Sequence, residues 1–179
     1  MTDTALFSAP WDQRLTLSTI AGSTLLLLGA TLAIWVSLAM VPPGAGRILI
    51  LAGGALSLGA FVFGLLLAPR GYTVSGDRLT IDRLLLPVEI PLATIQDVEL
   101  LPPDRLAGSS RTLGSGGLFG YYGRFRNQAL GSYRMYATRG DGYVLVRATQ
   151  SFVLTPDSPE RFIEAIDRGR GAAGRRRDS

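Results

Sequence analysis

Apolar positions run almost unbroken from Leu15 to Val41, through Leu25-Leu26-Leu27-Leu28 and Ala33-Ile34-Trp35-Val36, with only Ser and Thr as polar interruptions. About 20 apolar helical residues cross a bilayer core of about 30 Å, so this stretch predicts a spanning helix. A second run, Ile48 to Ala68, carries no charge and is closed by Pro69-Arg70. Between them lies Pro42-Pro43-Gly44-Ala45-Gly46-Arg47, a breaker-rich turn too short for a domain. The pattern predicts an antiparallel transmembrane hairpin over residues 15–69, with spans at 15–41 and 48–68, behind a leader of residues 1–14. A cleaved signal peptide fits less well. Its apolar region covers about 7–15 residues behind a positive N-region, whereas this leader holds Asp3, Asp12 and Arg14.

After Arg70 the period shortens. Tyr72 and Val74 alternate with polar positions, Ser75-Gly76-Asp77 supplies a turn, and Leu79, Ile81 and Leu84 to Leu86 resume the apolar pattern, a hairpin signature. Further strands are expected at Val88 to Pro91, Ile95 to Leu101, Gly131 to Thr138, Tyr143 to Ala148 and Ser151 to Leu154. Gly140-Asp141-Gly142 should turn a hairpin. Ser158-Pro159 then reads as a helix start, and Phe162, Ile163 and Ile166 form an apolar stripe on a helix ending near Arg168. About seven antiparallel strands and one helix suit a bent sheet or small barrel plugged by that helix over residues 70–168. Residues 169–179 read as an Arg-rich disordered tail.

Charge sharpens this division. Of 32 charged side chains (18 basic plus 14 acidic), 31 lie outside Leu15 to Pro69, where Arg47 stands alone. Arg14, Arg70, Arg78 and Arg83 flank the outer ends of the spans, against Arg47 alone in the turn, so the positive-inside rule puts both termini in the cytoplasm. With no His and no Cys, thiolate and histidine zinc sites, Ser-His-Asp and Cys-His machinery and disulfides are excluded. No enzyme activity, cofactor or metal is expected. The spans lack acids and lysines, so a proton relay or ion pathway has no carrier. Gly29-x-x-x-Ala33, Ala55-x-x-x-Gly59 and Ala60-x-x-x-Gly64 allow close helix approach, first within the hairpin and otherwise with a second copy or partner.

The domain's residues resemble a known family. They are Tyr72-x-Val74, Leu79-x-Ile81-x-Arg83 and Ile90-Pro91-Leu92-x-x-Ile95-x-x-Val98, then Gly114-x-Gly116-Gly117-x-Phe119-Gly120-x-x-Gly123-x-Phe125, Tyr136-Ala137-Thr138 and Leu154-Thr155-Pro156-x-x-Pro159-x-x-Phe162-Ile163. Over roughly Gly71 to Asp167 the chain resembles membrane-anchored bacterial proteins with a pleckstrin-homology-like (PH-like) domain. The resemblance implies two orthogonal sheets capped by a C-terminal helix, and binding rather than catalysis. Phosphoinositide-reading PH domains place a basic cluster around the loop between the first two strands. Here that loop is Ser75-Gly76-Asp77-Arg78, which argues against such recognition.

The most unusual segment runs from Arg111 to Arg126. Its glycines, Gly114, Gly116 and Gly117 among them, free the backbone. Phe119, Tyr121 and Tyr122 offer contact area, and Arg111, Arg124 and Arg126 offer anion contacts. No Gly-Lys-Ser/Thr and no strand-to-helix context follow, which excludes phosphate-loop and dinucleotide motifs. It reads first as a long mobile loop and otherwise as a partner or lipid contact. Arg175, Arg176 and Arg177 in the tail would contribute about 1 kcal/mol each near an anionic leaflet. Nucleic acid is not expected, for want of a recognition helix or aromatic platform. Asp97 and Glu99 read as the solvent face of a strand, and Arg139-Gly140-Asp141 as turn chemistry. The leading functional reading is a non-enzymatic scaffold or interaction module with a protein partner or second copy. Anionic-lipid binding at the membrane surface is the alternative.

Overall fold

The computed structural model describes residues 4–175 and opens on a strand, β1 (Thr4–Ser8), where the sequence reading has only a leader. Asp12 then caps the first helix, α1 (Gln13–Met40), its carboxylate accepting from Leu15 N at 2.6 Å. A turn over 41–44 leads into α2 (Ala45–Leu67), which takes Arg47 into its first turn. The helices run antiparallel: Ser37 Oγ donates to Arg47 O at 3.2 Å, and Gly54 lies against Ala30 and Ala33. Both are long and apolar enough to cross a membrane, and only 11% of the apolar stretch of each is buried, unlike the core helix of a soluble domain.

Ten strands form two sheets rather than the seven expected. The first sheet joins β1, β2 (Pro69–Ser75), β3 (Arg78–Arg83) and β4 (Val88–Pro91) in that order. The second comprises β5 (Asp97–Leu101), β6 (Ser110–Gly116), β7 (Tyr121–Asn127), β8 (Gly131–Ala137), β9 (Tyr143–Arg147) and β10 (Ser151–Leu154), in the order β5-β9-β10-β8-β7-β6. The pairing of β8 with β10 is parallel, so the sheet is mixed rather than wholly antiparallel. The three unforeseen strands are β1, β6 and β7. The last two occupy the segment read as a mobile loop.

That segment pairs because its glycines face one another. Gly114 and Gly123 are cross-strand partners, with φ of 124° and 127°, and a Cβ on either would overlap the opposing backbone. The main core lies between the sheets. Tyr72, Leu79 and Ile81 from the first sheet meet Val144, Val146, Phe152 and Leu154 from the second, closed by Phe162 and Ile166 of the third helix, α3 (Pro159–Arg175). α3 outruns its expected end at Arg168, so residues 169–175 are helical rather than a disordered tail. Tertiary contacts extend it: Gly169 packs on Leu92, and Arg170 Nη2 donates to Gln96 O at 3.0 Å.

β1 ties the fold together. It precedes both helices yet pairs antiparallel with β2, which follows them, so the helical hairpin is inserted between adjacent strands of one sheet. Phe7 carries this junction into the core, edge-on to Phe162 at 5.1 Å. Both ends of the hairpin therefore emerge on the same side.

Candidate functional site

Strand alternation sends every second side chain of β3 into the space between the sheets: Leu79, Ile81, then Arg83. On β7 and β8 the corresponding face carries Tyr122 and Arg124, paired in register with Tyr136 and Arg134. Towards the helices the apolar core thus gives way to arginine. Arg83, Arg111, Arg124 and Arg134 line a cavity of about 810 Å³, and no Asp or Glu lines it. Its other wall is one face of α2, made by Ala60, Phe63, Gly64 and Leu67 at helical i, i+3, i+4, i+7 spacing.

The guanidinium groups carry unspent charge. None of the four is ion-paired among the described residues, whereas Arg78, Arg139, Arg147 and Arg170 all are. Arg83 donates through Nη2 to Leu86 O, its guanidinium carbon lies 5.5 Å from the centre of the Tyr136 ring, and its buried Nε has no hydrogen-bond partner. Burial lowers its pKa from the usual arginine value, and the nearby Arg134 charge acts in the same direction. The environment therefore holds cationic charge at an electrostatic cost that an anion would relieve.

The cavity is tied to the helices. Tyr122 Oη donates to Gly64 O at 2.8 Å, and a side chain at Gly64 would meet the Phe119 ring at 3.3 Å. Phe119 also packs edge-on against Phe61 at 5.4 Å. On α1, Ser18 Oγ donates to Gly117 O at 2.7 Å, and Thr19 Oγ1 accepts from Phe119 N at 3.0 Å. So Ala60-x-x-x-Gly64 serves the domain, not a second helix. In the other two small-residue motifs, Ala33 meets Gly54 while Gly29 and Gly59 face open space.

Of the residues singled out in sequence, Arg111, Gly114, Gly116, Tyr122 and Arg124 line the cavity. Gly117 and Phe119 hold the helices, and Tyr121 packs with Phe125 and Tyr133 on the far side of the sheet. Arg126 is exposed beyond the cavity rim, Arg175 ends α3, and Arg176 and Arg177 lie outside the described residues. Arg83, Arg134 and Tyr136 also line the cavity but are not among the candidate contacts: Arg83 reads as a span-flanking charge and Tyr136 as part of the family motif, and the Arg134-x-Tyr136 alternation was the available signal. Asp97 and Glu99 share a face as expected and both pair with Arg147, at 2.8 and 2.7 Å. Arg139 and Asp141 form an ion pair at 3.2 Å within their turn. No cluster of three acidic side chains among the described residues is placed to hold a metal.

A family model described as "Bacterial PH domain" matches residues 70–169, more than half of the 179-residue chain. The chain belongs to the bacterial PH-domain family. Its PH domain begins, by that match, after the helical hairpin, so β1 completes the first sheet from outside the matched segment. The loop between the first two matched strands holds Arg78, engaged by Asp77 at 3.2 Å and Glu89 at 2.8 Å. Four of the domain's arginines without an ion pair, Arg83, Arg111, Arg124 and Arg134, instead line the cavity beside α2. No curated protein and no solved structure matches the chain.

Proposed function

We propose that this protein is a non-enzymatic, membrane-anchored PH-domain module whose cavity binds an anionic phospholipid, headgroup on the arginines and acyl portion along α2. The observation that carries this reading is the cavity's composition: four arginines without a lining carboxylate on one side, a helix face of Ala60, Phe63, Gly64 and Leu67 on the other. A soluble phosphate has no use for the apolar wall, whereas a lipid presents both chemistries on one molecule. Position supports the same reading. Residues 60–67 cover roughly the last 10 Å of α2 at 1.5 Å per residue, which is where a span leaves the hydrocarbon for the headgroups. There each arginine contributes about 1 kcal/mol of attraction to an anionic leaflet. Arg14, Arg70 and Arg83 on the domain side, against Arg47 at the turn, favour a cytoplasmic domain on a bacterial inner membrane.

The lipid reading displaces the scaffold reading because it names a site. Its test is lipid retention by the full chain purified in neutral detergent from mixed anionic and neutral lipid. Wild type should keep anionic lipid in a salt-sensitive manner, and Arg124→Gln with Arg134→Gln should lose it. Glycerol phosphate should compete poorly. Equal retention by both proteins, with a discrete protein co-purifying instead, returns the function to a scaffold.

A further inference from the structure

The loop from β3 to β4 carries Leu84, Leu85 and Leu86, which are 52%, 41% and 63% exposed. Three consecutive exposed leucines are disfavoured in water unless something covers them. This loop is also held firmly. Leu85 N donates to Leu66 O at 3.0 Å in the last turn of α2, and Arg83 Nη2 donates to Leu86 O. Leu86 adopts a left-handed φ of 56°, a conformation that a leucine seldom takes without compensation. Leu84 to Val88 contains no charge, and the base of the loop is a cation, Arg83.

We propose that the Leu84–Leu86 loop inserts into the boundary between headgroups and acyl chains of the bilayer crossed by α1 and α2. The occupant follows from continuity: Leu66 is the loop's backbone partner, and the α2 surface leading to it exposes Leu56, Leu58, Val62 and Phe63. An apolar loop bonded to the end of a span meets the same lipid that the span meets, and a cation at its base suits the headgroup level. The loop is thus an off-axis contact beside the two helices. It resists tilting of the domain and keeps the cavity mouth level with the headgroups. The proposal rests on the helices spanning the membrane and does not depend on what the cavity binds.

The chain has no cysteine, so single-cysteine variants accept one environment-sensitive fluorophore each. The full chain is reconstituted in phosphatidylcholine vesicles, where no anionic ligand is present, with spin-labelled lipids as quenchers. Leu85→Cys and Leu84→Cys are compared with Leu28→Cys in mid-α1 and with Gln128→Cys in the turn between β7 and β8. The expected result is a blue-shifted label at 84 and 85, quenched several-fold more than at 128 by a shallow spin label, with 28 quenched best by a deep one. Labels at 84 and 85 that match 128 while 28 is quenched overturn the proposal. An unquenched label at 28 also overturns it, by removing the spans themselves.

Discussion

Arg124 on β7 and Arg134 on β8 sit directly opposite each other across the strand pairing, and both line the same cavity. Like charges in that relation cost about 0.2–1 kcal/mol. Elsewhere in the same sheet the chain does the reverse, setting Arg147 between Asp97 and Glu99. On the proposed reading, the Arg124–Arg134 pair is where the lipid's anionic headgroup is received.

Replacing either member should therefore move stability and binding in opposite directions. Arg134→Gln should stabilise the lipid-free protein in neutral detergent by about 0.5 kcal/mol, or roughly 1–2 °C in melting temperature for a chain of this size, and weaken retention of anionic lipid. A thermal melt with and without added anionic lipid checks both signs. A variant that loses stability and keeps its lipid contradicts the account.

Tyr122 couples the cavity to α2 through its hydrogen bond to Gly64 O at 2.8 Å. Tyr122→Phe removes that bond together with the hydroxyl's hydrogen bond to Ser115 and should cost about 1 kcal/mol or more. Thermal or denaturant unfolding in lipid nanodiscs measures the cost, and no change would mean that the helix and the sheet are not coupled through this contact.

The N-terminal strand should matter as much as any strand of the family-matched segment. Phe7 is buried against Phe162 at 5.1 Å, so Phe7→Ala should destabilise the PH domain by about 3 kcal/mol. Deletion of residues 1–9 should leave the β2 edge open and the protein prone to aggregate. Size-exclusion profiles of the two variants test this; wild-type behaviour of the deletion would show that β1 is dispensable.

Gly123→Ala places a Cβ against Leu113 O at a φ of 127°. It should unpair β6 from β7, make residues 111–126 sensitive to limited proteolysis and abolish lipid retention. Resistance equal to wild type would count against the glycine-paired hairpin.

Much of this architecture can be read along the chain because its signals are local. Arg47 is the sole charge between Leu15 and Pro69, Ser75-Gly76-Asp77 turns the first hairpin, and Pro159 with Phe162 and Ile166 marks the capping helix. What escaped is non-local. β1 finds its partner on the far side of both helices, and nothing in Leu6-Phe7 indicates that. The glycines of 111–126 read as flexibility when each is counted alone; only the Gly114–Gly123 register turns them into a requirement of close strand approach. The cavity was half visible, through Arg111 and Arg124. Arg83 looked like one more charge flanking a span, and Arg134 like one more polar strand position, because only the sheet register and the α2 wall bring them together.

The most direct test of lipid binding in the arginine cavity is photocrosslinking. The full chain is reconstituted with a photoactivatable anionic phospholipid, and the adducts are mapped by peptide mass spectrometry. Adducts should concentrate on residues 60–67 and 113–124, disappear in an Arg83→Gln, Arg124→Gln, Arg134→Gln variant, and be absent with the matching neutral photolipid. Adducts spread evenly over the exposed faces of α1 and α2, and the same for both lipids, would contradict the account.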